Sequence, residues 1–183
     1  DQLNWQERNS DFCGKMWYEH ENKNECNKFK DILYSLAKII KSGKIRYIGI
    51  SNDTSWGLSK FLELSEIKNL PRMLSVQNPY SLLNRTYEVG LAEISIREKS
   101  CLLAYSPLAF GFLTGKYRNN ELPENSRMKL FGEKFFRYKT KNGQLAIEKY
   151  YEIAKKYQIH FAQMSLKFCE VQPFVTSVII GAT

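Results

Sequence analysis

The segment Ser100–Pro107 reads SCLLAYSP, a short apolar run that stops in tyrosine, serine and proline. Two other runs share its shape. RMLSVQNP begins at Arg72 and KIRYIGIS at Lys44, so the three start 28 residues apart. Runs of this kind, bounded by turn-forming residues, read as buried strands. Helical patterns fill the gaps. Phe29, Ile32, Leu33, Leu36 and Ile40 recur at one-face spacing ahead of Gly43, a C-terminal stop. Thr54 or Ser55 is placed to cap a helix carrying Leu58, Phe61, Leu62 and Ser65 on one side. Tyr87, Leu91 and Ile94 mark a third helix.

Beyond Lys116 the pattern lapses, and residues 118–142 read as a mobile loop. Ala146, Tyr150, Ile153, Ala154 and Tyr157 then mark a helix, and Ala162, Ser165, Leu166 and Cys169 a shorter one ended by Pro173. Phe174–Ile180, FVTSVII, is a last strand. Strands separated by single helices and buried on both faces predict an α/β protein with a parallel sheet. The repeat length suits two architectures, the (β/α)8 TIM barrel and the doubly wound open sheet. Four strands and a fifth candidate in the first few residues are too few to close a barrel. The open sheet lacks its usual G-x-G-x-x-G after the first strand. Periodicity alone leaves the two even.

The 183 residues are 43% apolar, 14% aromatic and 25% charged, enough for one packed domain and unlike a disordered tail. The net charge of +8 is spread along the chain with no block of five like charges. No basic stripe interleaved with aromatics appears, so nucleic acid is not an expected partner. Cys13, Cys26, Cys101 and Cys169 form no C-x-x-C pair, and His20 and His160 stand near none of them at metal-ligand spacing. No metal is expected, Cys101 and Cys169 read as small core residues, and a reducing, cytoplasmic compartment fits. No apolar run is long enough to insert into a membrane.

In parallel α/β folds ligands meet the C-terminal ends of strands. Those ends here are Ser51-Asn52-Asp53, Gln77-Asn78-Pro79-Tyr80 and Tyr105-Ser106-Pro107. Uncharged hydrogen-bonding groups suit a carboxamide or a sugar, and Tyr105 suits stacking on a planar heterocycle. Asn52 and Asn78 could equally close Asx turns, and Tyr105 could pack in the core. The stretch that follows, AFGFLTGKYR from Ala109 to Arg118, resembles a triphosphate-binding loop only superficially. Three residues instead of four separate Gly111 from Gly115, and Tyr117 stands where a Mg²⁺-binding hydroxyl is needed. Glycine backbone and Lys116, with Arg127 beyond, still suit a diphosphate. No G-x-S-x-G elbow or nucleophile–histidine pair points to hydrolysis.

The runs KSGKIRYIGISN (41–52), SVQNPYSLLNR (75–85), LLAYSPLAFGFLTGKY (102–117), NSR (125–127) and SVIIGAT (177–183) resemble the aldo-keto reductase family. They are most similar to its bacterial-type branch, which is related to the β subunits of voltage-gated potassium channels. The resemblance implies a (β/α)8 barrel that binds NADP(H) and reduces small aldehydes or ketones. It also implies that this chain is a C-terminal portion holding about the last four or five βα units, in one domain over residues 1–183. Matched position by position, Ser51, Asn52 and Gln77 fall on the nicotinamide carboxamide contacts and Tyr105 on the stacking aromatic. Ser106, Pro107, Leu108, Ala109 and Gly111 fall on the diphosphate loop, Lys116 and Arg127 on basic cofactor contacts. Gly181, with Ala182 and Thr183, begins the adenosine-phosphate segment.

The family's catalytic Asp, Tyr and Lys positions would precede Asp1, so the proton donor is expected upstream. Its His-Trp-Pro corresponds to Asn4-Trp5-Gln6, which puts Asn4 at the catalytic His position; Asn donates a hydrogen bond but cannot become cationic. The channel β subunits share that Asn, so the second reading is a slow or non-catalytic NADP(H)-binding sensor or partner-binding subunit. A half-barrel exposes sheet edges and core, and is expected to need its missing half, a second copy or another partner.

Overall fold

The computed structural model describes residues 25–132 and 136–181. Ten helices and strands lie among them: α1 Glu25–Lys41, β1 Ile48–Ser51, α2 Ser55–Ile67, β2 Met73–Pro79, α3 Leu91–Glu98, β3 Cys101–Tyr105, α4 Arg127–Phe131, α5 Lys141–Lys156, α6 Phe161–Glu170 and β4 Val175–Ile179. Single 3₁₀ turns punctuate them. The strands form one sheet in the order β1-β2-β3-β4, with β1–β2 and β3–β4 parallel. Parallel neighbours in sequence order, joined by one helix between β1 and β2 and by three between β3 and β4, are the pattern of a (β/α)8-type chain. The fifth candidate strand and Asn4 fall outside the described residues.

The chain divides into two compact units. One comprises the described residues up to Gln77 together with Glu93–Cys101. Its helix α1 stops two residues before Gly43, as expected, and buries Leu33 completely. Thr54 caps α2, its hydroxyl accepting from Gly57 N at 3.1 Å, and the face Leu58, Phe61, Leu62, Ser65 is buried as the spacing predicts. Phe29 meets that face edge-on, 4.6 Å from the Phe61 ring and 5.6 Å from Trp56. Gly49 lets β1 approach β2: a Cβ there would lie 2.8 Å from the Ser75 carbonyl oxygen.

The second unit comprises Asn78–Ala92 with the described residues from Leu102 onward. Its core gathers Phe112, Leu113, Tyr117, Met128, Ile147 and Phe161, so it sits directly under the loop that follows β3. Cys169 is fully buried, while Cys101 is only half-buried.

Four expectations change. β4 has no buried residue, and Ser51, Leu74 and Gln77 are exposed, so the strands are not covered on both faces by the described residues. Tyr87 lies in a separate 3₁₀ turn, Thr86–Val89, because the chain breaks at Gly90 before α3 begins. In α5 Ala154 is buried as the pattern expects, but Ile153 and Tyr157 are exposed and the other buried position is Ile147, which the pattern left out; the aromatic residues drew the expected face partly off the true one. Finally, the patternless stretch carries helical turns at Arg118–Asn120 and Phe136–Tyr138 and the short helix α4. Elements of three to five residues are too short to show a period.

Candidate functional site

The tip of β1 is locked to the tip of β2 by side-chain and backbone bonds. Ser51 faces Gln77 in the parallel register. The Gln77 carbonyl accepts twice, from the Ser51 hydroxyl at 3.1 Å and the Asn52 N–H at 3.0 Å. Asn52 Nδ2 donates to Ser51 Oγ at 2.9 Å. Asn52 takes a left-handed φ of +56°, a conformation asparagine tolerates well. Ser51 and Gln77 are exposed, so the Gln77 side-chain amide faces solvent. The three residues picked out for amide binding therefore form one hydrogen-bonded patch, with Ser51 oriented by the very strand end it decorates.

The loop after β3 is built differently. Tyr105 is half-buried and its carbonyl accepts from Tyr80 N–H at 3.2 Å. Then Ser106, Ala109, Phe110, Gly111 and Gly115 all adopt positive φ, between +47° and +99°. For Ser, Ala and Phe such a backbone is strained, by about 1–2 kcal/mol per residue. It persists because its surroundings hold it. Ala109 N–H donates to Ser106 O and Gly111 N–H to Leu108 O, both at 2.9 Å, and Thr114 Oγ1 donates to Gly111 O at 2.8 Å. Pro107, Ala109, Phe112 and Leu113 are buried beneath, while Leu108 is half-buried.

The basic groups close over this loop. A Cβ on Gly111 would lie 2.8 Å from Lys116 Cε, so glycine is required both for its φ of +99° and for the lysine stem that crosses it. Lys116 Nζ lies 5.2 Å from the Tyr117 ring centre, and the Arg127 guanidinium 5.9 Å from that of Phe110. Tyr117 OH accepts from Met128 N–H at 3.3 Å, which ties α4 to the loop. The structure thus joins Ser106–Gly111, Lys116 and Arg127 in one basic belt. One expectation is corrected: the N–H groups of Ala109 and Gly111 are committed to the loop's own turns. An anion here would meet chiefly the Ser106 hydroxyl, Lys116 and Arg127. Gly181 is exposed, with nothing within 4 Å of where its Cβ would be.

Sequence reasoning missed two contributors. Phe110, on which Arg127 rests, lies inside the loop but has a left-handed φ that an aromatic residue gives no reason to expect. The other is a polar triad running from the buried Tyr80, whose N–H bonds the Tyr105 carbonyl, out to the exposed Arg85. The Tyr80 hydroxyl donates to Glu88 Oε1 at 2.5 Å, and Glu88 accepts from Arg85 Nε and Nη2 at 2.7 Å each. Hydrogen bonds from Arg85 hold the Glu88 carboxyl below its usual range, and burial pushes the Tyr80 phenol well above its own. Tyr80 is fully buried, so it anchors rather than transfers protons. Its only sequence signal was the NPY that ends β2.

No group of His, Cys, Asp or Glu among the described residues is arranged to hold a metal ion, and none of their helices is long and apolar enough to cross a membrane. Parallel strands alternating with helices, with polar residues at the strand ends, define a protein of the βα-repeat class. Residues 4–183 match the Aldo/keto reductase family model. The chain is 45% identical over 182 residues to Protein tas of Escherichia coli (strain K12), covering 100% of this chain and 52% of that protein. It is 34% identical over 194 residues to an aldo-keto reductase of Babesia bovis, covering 99% and 68%. It is 32% identical over 173 residues to L-glyceraldehyde 3-phosphate reductase of Escherichia coli (strain K12), covering 92% and 49%. The chain belongs to the aldo/keto reductase family and spans about half the length of Protein tas.

Proposed function

We propose that this chain supplies the cofactor-binding strand ends of an oxidoreductase that passes hydride between NADP(H) and a small aldehyde or ketone. The observation that carries the reading is the strained belt, Ser106 to Gly111, held closed by its own turns with Lys116 lying across Gly111. Strain of this kind is maintained where a ligand uses the shape. In this reading Ser106, Pro107, Leu108, Ala109 and Gly111 wrap the diphosphate, and Lys116 and Arg127 neutralise it. Tyr105 stacks on the nicotinamide, and the Ser51–Asn52–Gln77 patch, exposed at Ser51 and Gln77, offers the donors and acceptors a carboxamide needs. Gly181 marks the start of the adenosine contact. The cofactor supplies the hydride; the chain's residues bind and orient it.

The proton donor is assigned to sequence outside the chain, and Asn4 to the hydrogen bond on the substrate carbonyl. The substitution at Asn4 is the feature that favours the second reading, a slow or non-catalytic NADP(H)-binding subunit. The test is NADPH titration of the full-length protein by calorimetry, followed by NADPH consumption with aldehydes. Binding with turnover supports the reductase, binding without turnover the subunit, and no binding overturns both.

A further inference from the structure

Behind the belt, on the side of α5 and α6, the second unit contains a cleft of about 480 Å³. Lys116 and Arg118 line it from the loop, Tyr151 and Lys155 from α5, and His160 and Phe161 from the start of α6. The sequence gives each element its part. Tyr151 and Lys155 are four apart and share one face of α5. Helix α5 ends within two residues of Lys155, and the short connection to α6 then brings His160 round to the same face.

The charges are unevenly satisfied. Arg118 is neutralised: it bonds Glu148 through Nε at 2.9 Å and Nη2 at 2.7 Å, and its guanidinium stacks 3.4 Å over Tyr151. Three helix lysines pair with a glutamate three residues on, Lys60 with Glu63, Lys149 with Glu152 and Lys167 with Glu170. Lys116 and Lys155 have no such partner: among the described residues no carboxylate lies within ion-pair distance of either. His160 adds a third basic group, whose side chain makes no capping bond at the start of α6. The floor is apolar. Tyr151 and Phe161 meet edge to face at 5.7 Å, and both rings come within 3.8 Å of the Cβ position of Gly115.

Uncompensated cations on the rim of a concave site with aromatic walls concentrate an anion that has an organic body. Two lysines and a histidine suit a dianion better than a carboxylate, and a phosphate monoester is close to dianionic at neutral pH. We propose that this cleft is a second ligand site, taking a small phosphate monoester of a sugar or nucleoside, separate from the dinucleotide belt. Lys116 borders both sites; Lys155 and His160 belong only to this one and therefore carry the test.

The experiment is calorimetric titration of the full-length protein with ribose 5-phosphate, AMP and inorganic phosphate, with ribose as the uncharged control. A phosphate ester binds and ribose does not. The double variant Lys155→Gln, His160→Gln keeps its melting curve and loses about tenfold in ester affinity, the scale of a lost charged hydrogen bond. NADPH binds the variant within about twofold of the parent, since neither residue touches the belt's ligand in this account. The proposal is overturned if no ester binds, if the variant binds the ester undiminished, if inorganic phosphate binds as tightly as the esters, or if NADPH displaces the ester. Ester binding without NADPH binding removes the cofactor reading and leaves this one standing.

Discussion

The patch at Ser51, Asn52 and Gln77 and the belt from Ser106 to Lys116 are built by opposite means. The first is an ordinary parallel strand end. Its chemistry lies in exposed side chains, and its shape comes from the sheet register that sets Ser51 against Gln77. The second carries its charged side chains on a backbone of unusual shape, with five residues at positive φ above a buried core. A patch of the first kind is robust, because each exposed hydrogen bond contributes little. A belt of the second kind is fragile, because removing one support releases strain held in several residues at once.

That contrast can be broken most severely at Gly111. Gly111→Ala places a side chain at a φ of +99° and 2.8 Å from Lys116 Cε. Stability falls by about 1–3 kcal/mol in denaturant unfolding, the range for a residue forced into a disfavoured backbone region. NADPH affinity falls with it. An unchanged midpoint and affinity would show that the belt's backbone carries no constraint.

A second prediction concerns the triad of Tyr80, Glu88 and Arg85, joined to Tyr105 through the Tyr80 N–H. Glu88 is held below its usual range chiefly by the Arg85 hydrogen bonds. Its folded pKa is therefore below its unfolded one, about 4.3. Its contribution is present above that value and is lost as pH falls through the folded pKa. Glu88→Gln flattens that acid limb of stability, measured as melting temperature against pH. A limb of the same slope in the variant would remove the triad from the account.

The smallest effect is expected at the patch. Ser51→Ala removes an exposed hydroxyl that donates to the Gln77 carbonyl at 3.1 Å. Melting changes little, and NADPH affinity drops about two- to tenfold, the worth of one neutral hydrogen bond. A loss as large as that of Gly111→Ala would erase the distinction between the two regions.

The same distinction explains what could be read from the sequence. The α2 face and its Thr54 cap were legible, because helix spacing and capping chemistry are local. So were the polar strand tips, since their residue types state their chemistry. The left-handed Ala109 and Phe110 were not, because neither residue advertises a positive φ; tertiary support from Phe112, Leu113 and Tyr117 imposes it. The Tyr80–Glu88–Arg85 triad was equally hidden, since it forms across a turn between β2 and a 3₁₀ segment with no period to detect. In α5 the spacing of Ala146, Tyr150, Ile153, Ala154 and Tyr157 suggested one face; packing against the belt's core kept Ala154, added Ile147 and left Ile153 and Tyr157 exposed.

The central claim is that the belt holds a dinucleotide diphosphate with Lys116 as its main cation. Calorimetric titration of NADPH into the full-length protein and its Lys116→Met variant tests it most directly. The account predicts one saturable site whose affinity the variant weakens about tenfold or more, as expected for a lost charged hydrogen bond. NADPH binding of equal strength in both proteins, or in neither, would contradict it.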